Sequence, residues 1–379
     1  MLTSLHEHGP LRQVGLSDAL GLARTTGISL IDELTSLGLA VTLDAEPSGR
    51  RGRPSRVVAP CRDVVVVAIE IAVDTVRVDV VGLGGDVRSA RDLPISPARL
   101  GPAATMAAVS RTVGTVVADV PNGVVVGMAV AIHGAVDRAG HIVFAPNLGW
   151  SGIHVGDSLR AHLAFDGLAV VIGNDADLGA LGELRRGAGR GHADFLYLSA
   201  ERGIGGGLVV NGQVVMGANG LAGEVGHMKI GAGAGRCGCG QRGCWEAEIG
   251  SRAIAKLAGV RSIDTVFERA GDGDVGSLAA VQEAAWRLGR GLGILIPLLQ
   301  PSSVIINGHL AHVVRLAGPE IERAIATACP SALARAVDVR SGLLGPDAAL
   351  IGAAELAFAP LLANPAAVTL HPVMNLTAR

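Results

Sequence analysis

From Val64 onward, apolar β-branched runs alternate with helix-compatible stretches, and this alternation restricts the chain more than any other feature. Val64–Ile71 and Val76–Leu83 read as adjacent strands joined by a short turn. Pro102–Val117 reads as a helix and Val124–Ile132 as a buried strand. A short helix at Asp157–Leu163 is expected next. A strand at Ala169–Ile172 then runs into Gly173, Asn174 and Asp175, and a helix continues to about Arg186. Phe195–Ser199 and Leu208–Val210 resemble a hairpin pair around Gly203–Gly207. Helices follow around Ser251–Ala258 and Ser277–Leu299, then a strand at Val304–Ile306. Strand–turn–strand openings followed by helices predict an α/β fold in two lobes with a cleft between them. The tail beyond Pro365 reads as loosely ordered.

The length of 379 residues exceeds one ordinary core, so two or three compact units are expected. With 49% hydrophobic and 17% charged residues, disorder is excluded as the general state. Only 3 Trp, 1 Tyr and 5 Phe stand against 54 Gly, which implies a core of Val, Leu, Ile and Ala with many tight turns. Apolar stretches such as Gly123–Ile132 and Leu292–Leu299 fall short of the ~20 residues that cross a bilayer. No basic segment followed by an apolar run opens the sequence, so a cytoplasmic protein without a membrane partner is expected. The net charge of −2 gives no sign of nucleic acid, so a DNA-binding reading must rest on local clusters.

Residues 1–60 differ in texture from the rest. Leu2–His8 can form a helix that Gly9 and Pro10 stop, and Ser17 is a candidate N-cap for Asp18–Leu22. A third helix is expected from about Ala23 to Leu37, with Ile28, Ile31, Leu34 and Leu37 on one face. Leu39–Leu43 alternates like a strand, and Pro47–Arg56 forms a basic turn carrying Arg50, Arg51, Arg53 and Arg56. Three helices, a strand and a basic loop are the parts of a winged helix-turn-helix. Arg24, Thr25 and Thr26 lie where a recognition helix meets base edges or phosphates. The arginine loop suits a minor groove or its flanking phosphates. The bland alternative is a small helical cap with a solvated arginine linker. Gly27 is awkward inside a recognition helix, costing about 1 kcal/mol relative to Ala.

The densest chemical signal is Glu224-Val-Gly-His227 followed by Cys237-Gly-Cys239 and, after four residues, Cys244-Trp-Glu246. One imidazole and three thiolates match a closed tetrahedral Zn²⁺ site, structural rather than hydrolytic because no position is left for water. In a reducing compartment such a cluster reads as metal ligands before disulfides.

These motifs strongly resemble the signature of the ROK family (repressors, open reading frames and sugar kinases). The resemblance extends through the HGAVD turn at 133–137, PNLGW at 146–150, GNDADLGALGE at 173–183, GIGGG at 203–207, GANGLAGEVGH at 217–227 and IGAAELA at 351–357. The LARTT stretch and the GRRGRPSR wing resemble the DNA-binding end of the family's regulators. The resemblance implies a winged helix over residues 1–60, then a two-lobed, actin-like ATPase (sugar kinase-like) domain over 61–379, with lobes of roughly 61–165 and 166–379. It implies that Asp175 stands at the position of the kinase base. It also implies that Gly134, Asn174, Asp175, Glu224, His227 and Glu246 hold a sugar.

The sequence departs from a kinase at the phosphate loops. Where the family's kinases carry Asp-x-Gly-Gly-Thr, this chain has Glu70-Ile71-Ala72-Val73-Asp74. Val73 obstructs close approach of a phosphate, and Asp74 repels it. Glu201-Arg202 stands where kinases resemble Gly-Thr, and the nucleoside loop reads Asn307-Gly308-His309. The expected function is a sugar-responsive transcriptional regulator, a homodimer or homotetramer on double-stranded operator DNA, with no catalytic residue. The alternative is an ATP-dependent hexose kinase with an accessory DNA-binding domain.

Overall fold

The computed structural model describes residues 1–43, 56–163, 167–230 and 235–373. Helices Leu2–His8, Gln13–Ala19 and Arg24–Ser36 open the chain. They are followed by an antiparallel sheet in the order Leu11–Arg12, Val57–Pro60, Ala40–Leu43. Two expectations change here. Ser17 is no cap: its hydroxyl donates to the Gln13 carbonyl at 3.1 Å inside the second helix. Ile28 is exposed, while Gly27 beside it is buried. A Cβ on Gly27 would stand 2.1 Å from Ser17 Oγ, so the glycine lets the second and third helices touch. The strand Val57–Pro60, which the arginine-rich run conceals in the sequence, completes the sheet.

The first lobe is built on a sheet in the order Val170–Asn174, Val124–Ile132, Val64–Ile71, Val76–Gly82, Val87–Leu93. Every residue of Val64–Ile71 is buried, as a strand covered on both faces requires. The helix Pro102–Ala118 covers one face through Met106, Val109, Val113 and Val116, spaced at helical period. The second lobe carries a sheet in the order Gln213–Val214, Gly205–Val210, Phe195–Ser199, Ser303–Ile306, Asp338–Ser341. Helices Val275–Leu299 and His309–Ala328 pack on it through Leu288, Leu292, Val313 and Ile321.

A break between lobes at 165/166 does not coincide with the change of sheet. Val170–Asn174 pairs in parallel with Met128–Ile132 of the first sheet. The chain returns there once more: helix Ala348–Ala363 buries Ala353, Ala357 and Phe358 in a core shared with Val66 and Ala129. The tail is more ordered than expected, since His371 and Pro372 pair with Val125 and Val124. Segment Gly345–Ala363 meets the length and hydropathy of a membrane span (19 residues, mean hydropathy 1.4). Its apolar character is explained by packing between the first sheet and helix Asp175–Arg186, which buries Ala353, Ala357, Phe358 and Leu361.

Candidate functional site

The helix Asp175–Arg186 is capped by Asn174, whose Oδ1 accepts from the N–H groups of Ala176 at 2.8 Å and Asp177 at 3.1 Å. The cap fixes Asp175 at the floor of a cleft between the lobes. Gly134, Asn174, Asp175, Glu224, His227 and Glu246, widely separated in sequence, all line this one cavity. His133, Phe144, Asn147, Ser199, Glu201 and Arg202 line it too.

Not all six are equally available. Asn174 Nδ2 donates to the Gly134 carbonyl at 2.9 Å and to Asp175 Oδ1 at 3.2 Å, so both side-chain ends are committed within the protein. Its role is therefore to lock the Gly134 turn to the base of the helix. Glu246 Oε2 accepts the Ile204 N–H at 3.2 Å.

His133 is the residue that sequence reasoning missed. Its Nε2 lies 3.2 Å from Glu70 Oε1 and 3.8 Å from Asp175 Oδ2. Burial opposes its charge, but Asp175, Glu70 and Glu201 outweigh burial and push its pKa up to about 9. Asp175 moves up from the usual carboxylate range because of burial, with Glu70 adding to the shift and His133 opposing it. Burial, then Asp175 and Glu246, raise Glu224 to about 7. Burial, then Asp175 and Glu224, raise Asp177 to about 8. The HGAVD motif was visible, but the partner Glu70 lies 63 positions away, on the strand Val64–Ile71.

At the cleft mouth, Arg202 of the second lobe forms an ion pair with Asp74 of the first. Asp74 is therefore not the bare repulsive charge that the sequence suggested: its own chain supplies the cation. The Val73 carbonyl and Asp74 also accept from Ser96 Oγ, at 3.2 and 3.4 Å. In the third loop Asn307 is buried and donates to Glu183 Oε1 at 3.0 Å, while His309 Nε2 lies 3.0 Å from the Ile249 carbonyl. Both are committed to the framework.

His227, Cys237, Cys239 and Cys244 form a cluster able to hold a metal ion, with all ligand atoms within 4.8 Å of one another. Cys239 and Cys244 Sγ are 3.7 Å apart, and Cys237 Sγ is 3.5 Å from His227 Nδ1. A Zn²⁺ tetrahedron with Zn–S of about 2.3 Å and Zn–N of about 2.1 Å has S–S and S–N edges of roughly 3.8 and 3.6 Å, so the donors fit. Burial resists the Cys239 thiolate. The Gln241 N–H, the neighbouring thiols and Lys229 outweigh it and bring that thiol below its ordinary range. His227 Nε2 lies on the other side, 3.7 Å from Glu224 Oε2, so the ring joins the cluster to the cleft.

Among the expected DNA contacts, Arg24, Thr25 and Thr26 are exposed at the start of the third helix. Arg50, Arg51 and Arg53 lie outside the described residues.

Residues 66–359 match the family model described as "ROK family", which is well over half of the chain. The chain belongs to the ROK family. Among curated ROK relatives, it is 25% identical over 362 residues to the xylose repressor of Bacillus subtilis (strain 168), covering 94% of this chain and 93% of the relative. It is 32% identical over 249 residues to a glucokinase of Halalkalibacterium halodurans, covering 60% of this chain and 74% of that enzyme. Among solved structures, a ROK family transcriptional regulator, described as a homologue of the E. coli MLC protein, superposes with a TM-score of 0.76 at 22% identity. That match covers 93% of this chain and 94% of the other, and it establishes the fold. A Streptomyces griseus ROK glucokinase in complex with glucose and AMPPNP superposes at 0.65 with 26% identity, covering 77% of this chain and 99% of that one. This chain is thus a two-lobed, actin-like ATPase domain behind an N-terminal unit. The repressor-type relatives extend over that unit as well.

Proposed function

We propose that this protein is a sugar-responsive, DNA-binding transcriptional regulator, a repressor of carbohydrate-metabolism genes, acting as a cytoplasmic homodimer or homotetramer. One juxtaposition carries the reading: the polar set for gripping hydroxyls is gathered in one cleft, while the adjoining phosphate turn holds Val73 and a carboxylate bound to Arg202. Vicinal hydroxyls need several bidentate acceptors and donors to replace their hydration, which Asp175, Glu224, His227 and Glu246 supply. A triphosphate needs open backbone N–H groups and little negative charge, which Ala72–Asp74 does not offer. Matches to repressors over more than nine-tenths of the chain support the same assignment.

In this reading residues 1–60 form a winged helix-turn-helix. Arg24, Thr25 and Thr26 approach base edges and phosphates, and Arg50, Arg51 and Arg53 form a wing on the minor groove or its phosphates. Zn²⁺ held by His227, Cys237, Cys239 and Cys244 serves structure: when bound, it fixes the imidazole so that Nε2 faces the ligand. Sugar occupancy shifts the protein between DNA-competent and incompetent arrangements through its differential affinity for the two.

Retention of promoter DNA is measured at fixed salt while D-xylose or D-glucose is added. A sugar-dependent change in affinity is expected, and constant affinity across a wide sugar panel refutes the sensor. The enzymatic alternative rests on Asp175 and the intact Gly203–Gly207 turn. A coupled ADP-release assay tests it, and turnover that disappears in Asp175→Asn reinstates the kinase.

A further inference from the structure

The helix that begins at the cleft ends at the N-terminal unit. Asp175 lines the cavity, and Arg186, about 17 Å along the same helix, reaches into the first helix of the chain. There His6, Arg186 and Glu355 form a buried cluster. His6 Nε2 lies 2.9 Å from Glu355 Oε2 and 2.8 Å from Arg186 Nη2, and Arg186 Nε donates to Glu355 Oε1 at 2.6 Å. His6 is 1% exposed and Glu355 7%. The His6 ring also packs on Phe358, with centroids 5.0 Å apart.

Two properties make this cluster more than a docking contact. First, one imidazole nitrogen can donate to a carboxylate or accept from a guanidinium, but it does not do both at once. The joint therefore has two hydrogen-bonding arrangements, one gripping Glu355 on helix Ala348–Ala363 and the other gripping Arg186 on helix Asp175–Arg186. Among the described residues His6 Nδ1 is buried without a partner, so none of them decides between the two from the other side of the ring. Second, the two sensor helices touch backbone to backbone. A Cβ on Gly352 would stand 1.7 Å from the Leu178 carbonyl, and one on Gly182 would stand 2.3 Å from that of Ala348. Helices packed this closely slide or rotate as a pair and have little room for side chains to absorb a displacement.

We infer that helix Asp175–Arg186 transmits sugar occupancy from the cleft to the DNA-reading unit, and that the buried joint of His6, Arg186 and Glu355 is where the signal crosses. The inference rests on the sugar-sensor reading above. It makes His6 and Glu355 positioning residues: they touch neither sugar nor DNA, and they hold the reader in one of two attachments to the sensor. Spatial continuity alone does not establish coupling, which requires an element with two states that both sites bias. The shared nitrogen of His6 is that element.

The test uses the full-length protein with D-xylose and D-glucose as probes. Sugar affinity is read by calorimetry, and amide hydrogen exchange is followed at Leu2–His8 with and without saturating sugar. In the wild type, bound sugar changes exchange of this helix by about fivefold or more, the lower range of measured couplings. In Glu355→Gln and His6→Phe, sugar affinity stays within about twofold of wild type while the exchange change disappears. His6→Gln, which keeps a polar group in the joint, serves if His6→Phe misfolds. Sugar that binds the wild type without altering exchange at Leu2–His8 overturns the coupling and leaves the sensor standing. Variants that retain the full exchange response overturn the assignment to this joint. If neither sugar binds the wild type, the pocket reading falls and the coupling falls with it.

Discussion

Gly27→Ala sets two forces of known sign against each other. Glycine inside a helix costs about 1 kcal/mol relative to alanine, so propensity alone makes the substitution stabilising. Packing makes it destabilising. The new Cβ would stand 2.1 Å from Ser17 Oγ and 3.0 Å from Ser17 Cβ. The hydroxyl can rotate away, but it then loses its 3.1 Å bond to the Gln13 carbonyl on a residue only 4% exposed. A buried hydroxyl left without a partner costs about 1–3 kcal/mol. The close approach of the two Cβ atoms forces the second and third helices apart at a cost of about 1 kcal/mol or more. After the propensity gain is subtracted, the net loss is about 1–3 kcal/mol. The crossing of the two helices that position Arg24, Thr25 and Thr26 shifts as well. Thermal melting of the full chain reads the stability, and DNA retention at fixed salt reads the geometry. Both should fall in Gly27→Ala, with sugar affinity unchanged. The double variant Ser17→Gly, Gly27→Ala removes both clashing atoms and should recover most of the loss. A Gly27→Ala protein that melts at or above wild type refutes the packing argument.

Three further outcomes follow from the site. Cys239→Ser leaves three ligands where a closed site needs four, so metal analysis should find zinc well below one per chain, with a lower melting temperature. Full zinc stoichiometry in that variant refutes the ligand set. Asp177 titrates near 8 when folded against about 4 when unfolded, so the native state holds an extra proton between those values. Stability is therefore fully present below about pH 4 and declines as pH rises through about 8, by an amount on the order of a few kcal/mol. Asp177→Asn removes this decline, so the melting temperature should fall less between pH 6 and pH 8.5 than in wild type. An unchanged pH profile refutes the burial argument. Replacing Arg51 and Arg53 together by Ala should weaken DNA binding across sequences and reduce the slope of log affinity against log salt by about 2. An unchanged slope places the wing away from phosphate.

Local patterns carried much of the architecture. Val124–Ile132 is a strand at the residues its apolar run marks, and Arg24–Ser36 is a helix within one residue of its sequence signals at either end. The metal cluster was legible because ligand type and spacing are local properties. Misreadings arose where distant residues decide. Ser17 is the local exception: it resembles an N-cap, but the helix already begins at Gln13, whose carbonyl accepts its hydroxyl. Val57–Pro60 is short, and the arginines before it outweigh its strand character until Leu11–Arg12 and Ala40–Leu43 flank it. The return of Ala348–Ala363 to the first lobe leaves no trace in periodicity, because a helix apolar on nearly every side has no polar face to mark its direction. His133 shows the same limit in the site. Its charge is created by Glu70 and Asp175, both far from it in sequence, against the burial they share.

The apolar cluster that holds Leu5, Leu16 and Ile31 of the first helices also contains Val66, Ala129, Ala353 and Phe358 of the sensor's first lobe. The N-terminal unit and the first lobe thus share one apolar core. Severing the chain near residue 60 would strip greasy surface bare on both fragments, so neither half is expected to behave well alone in solution. Heat or mutation that loosens the first lobe is expected to loosen the N-terminal unit at the same time.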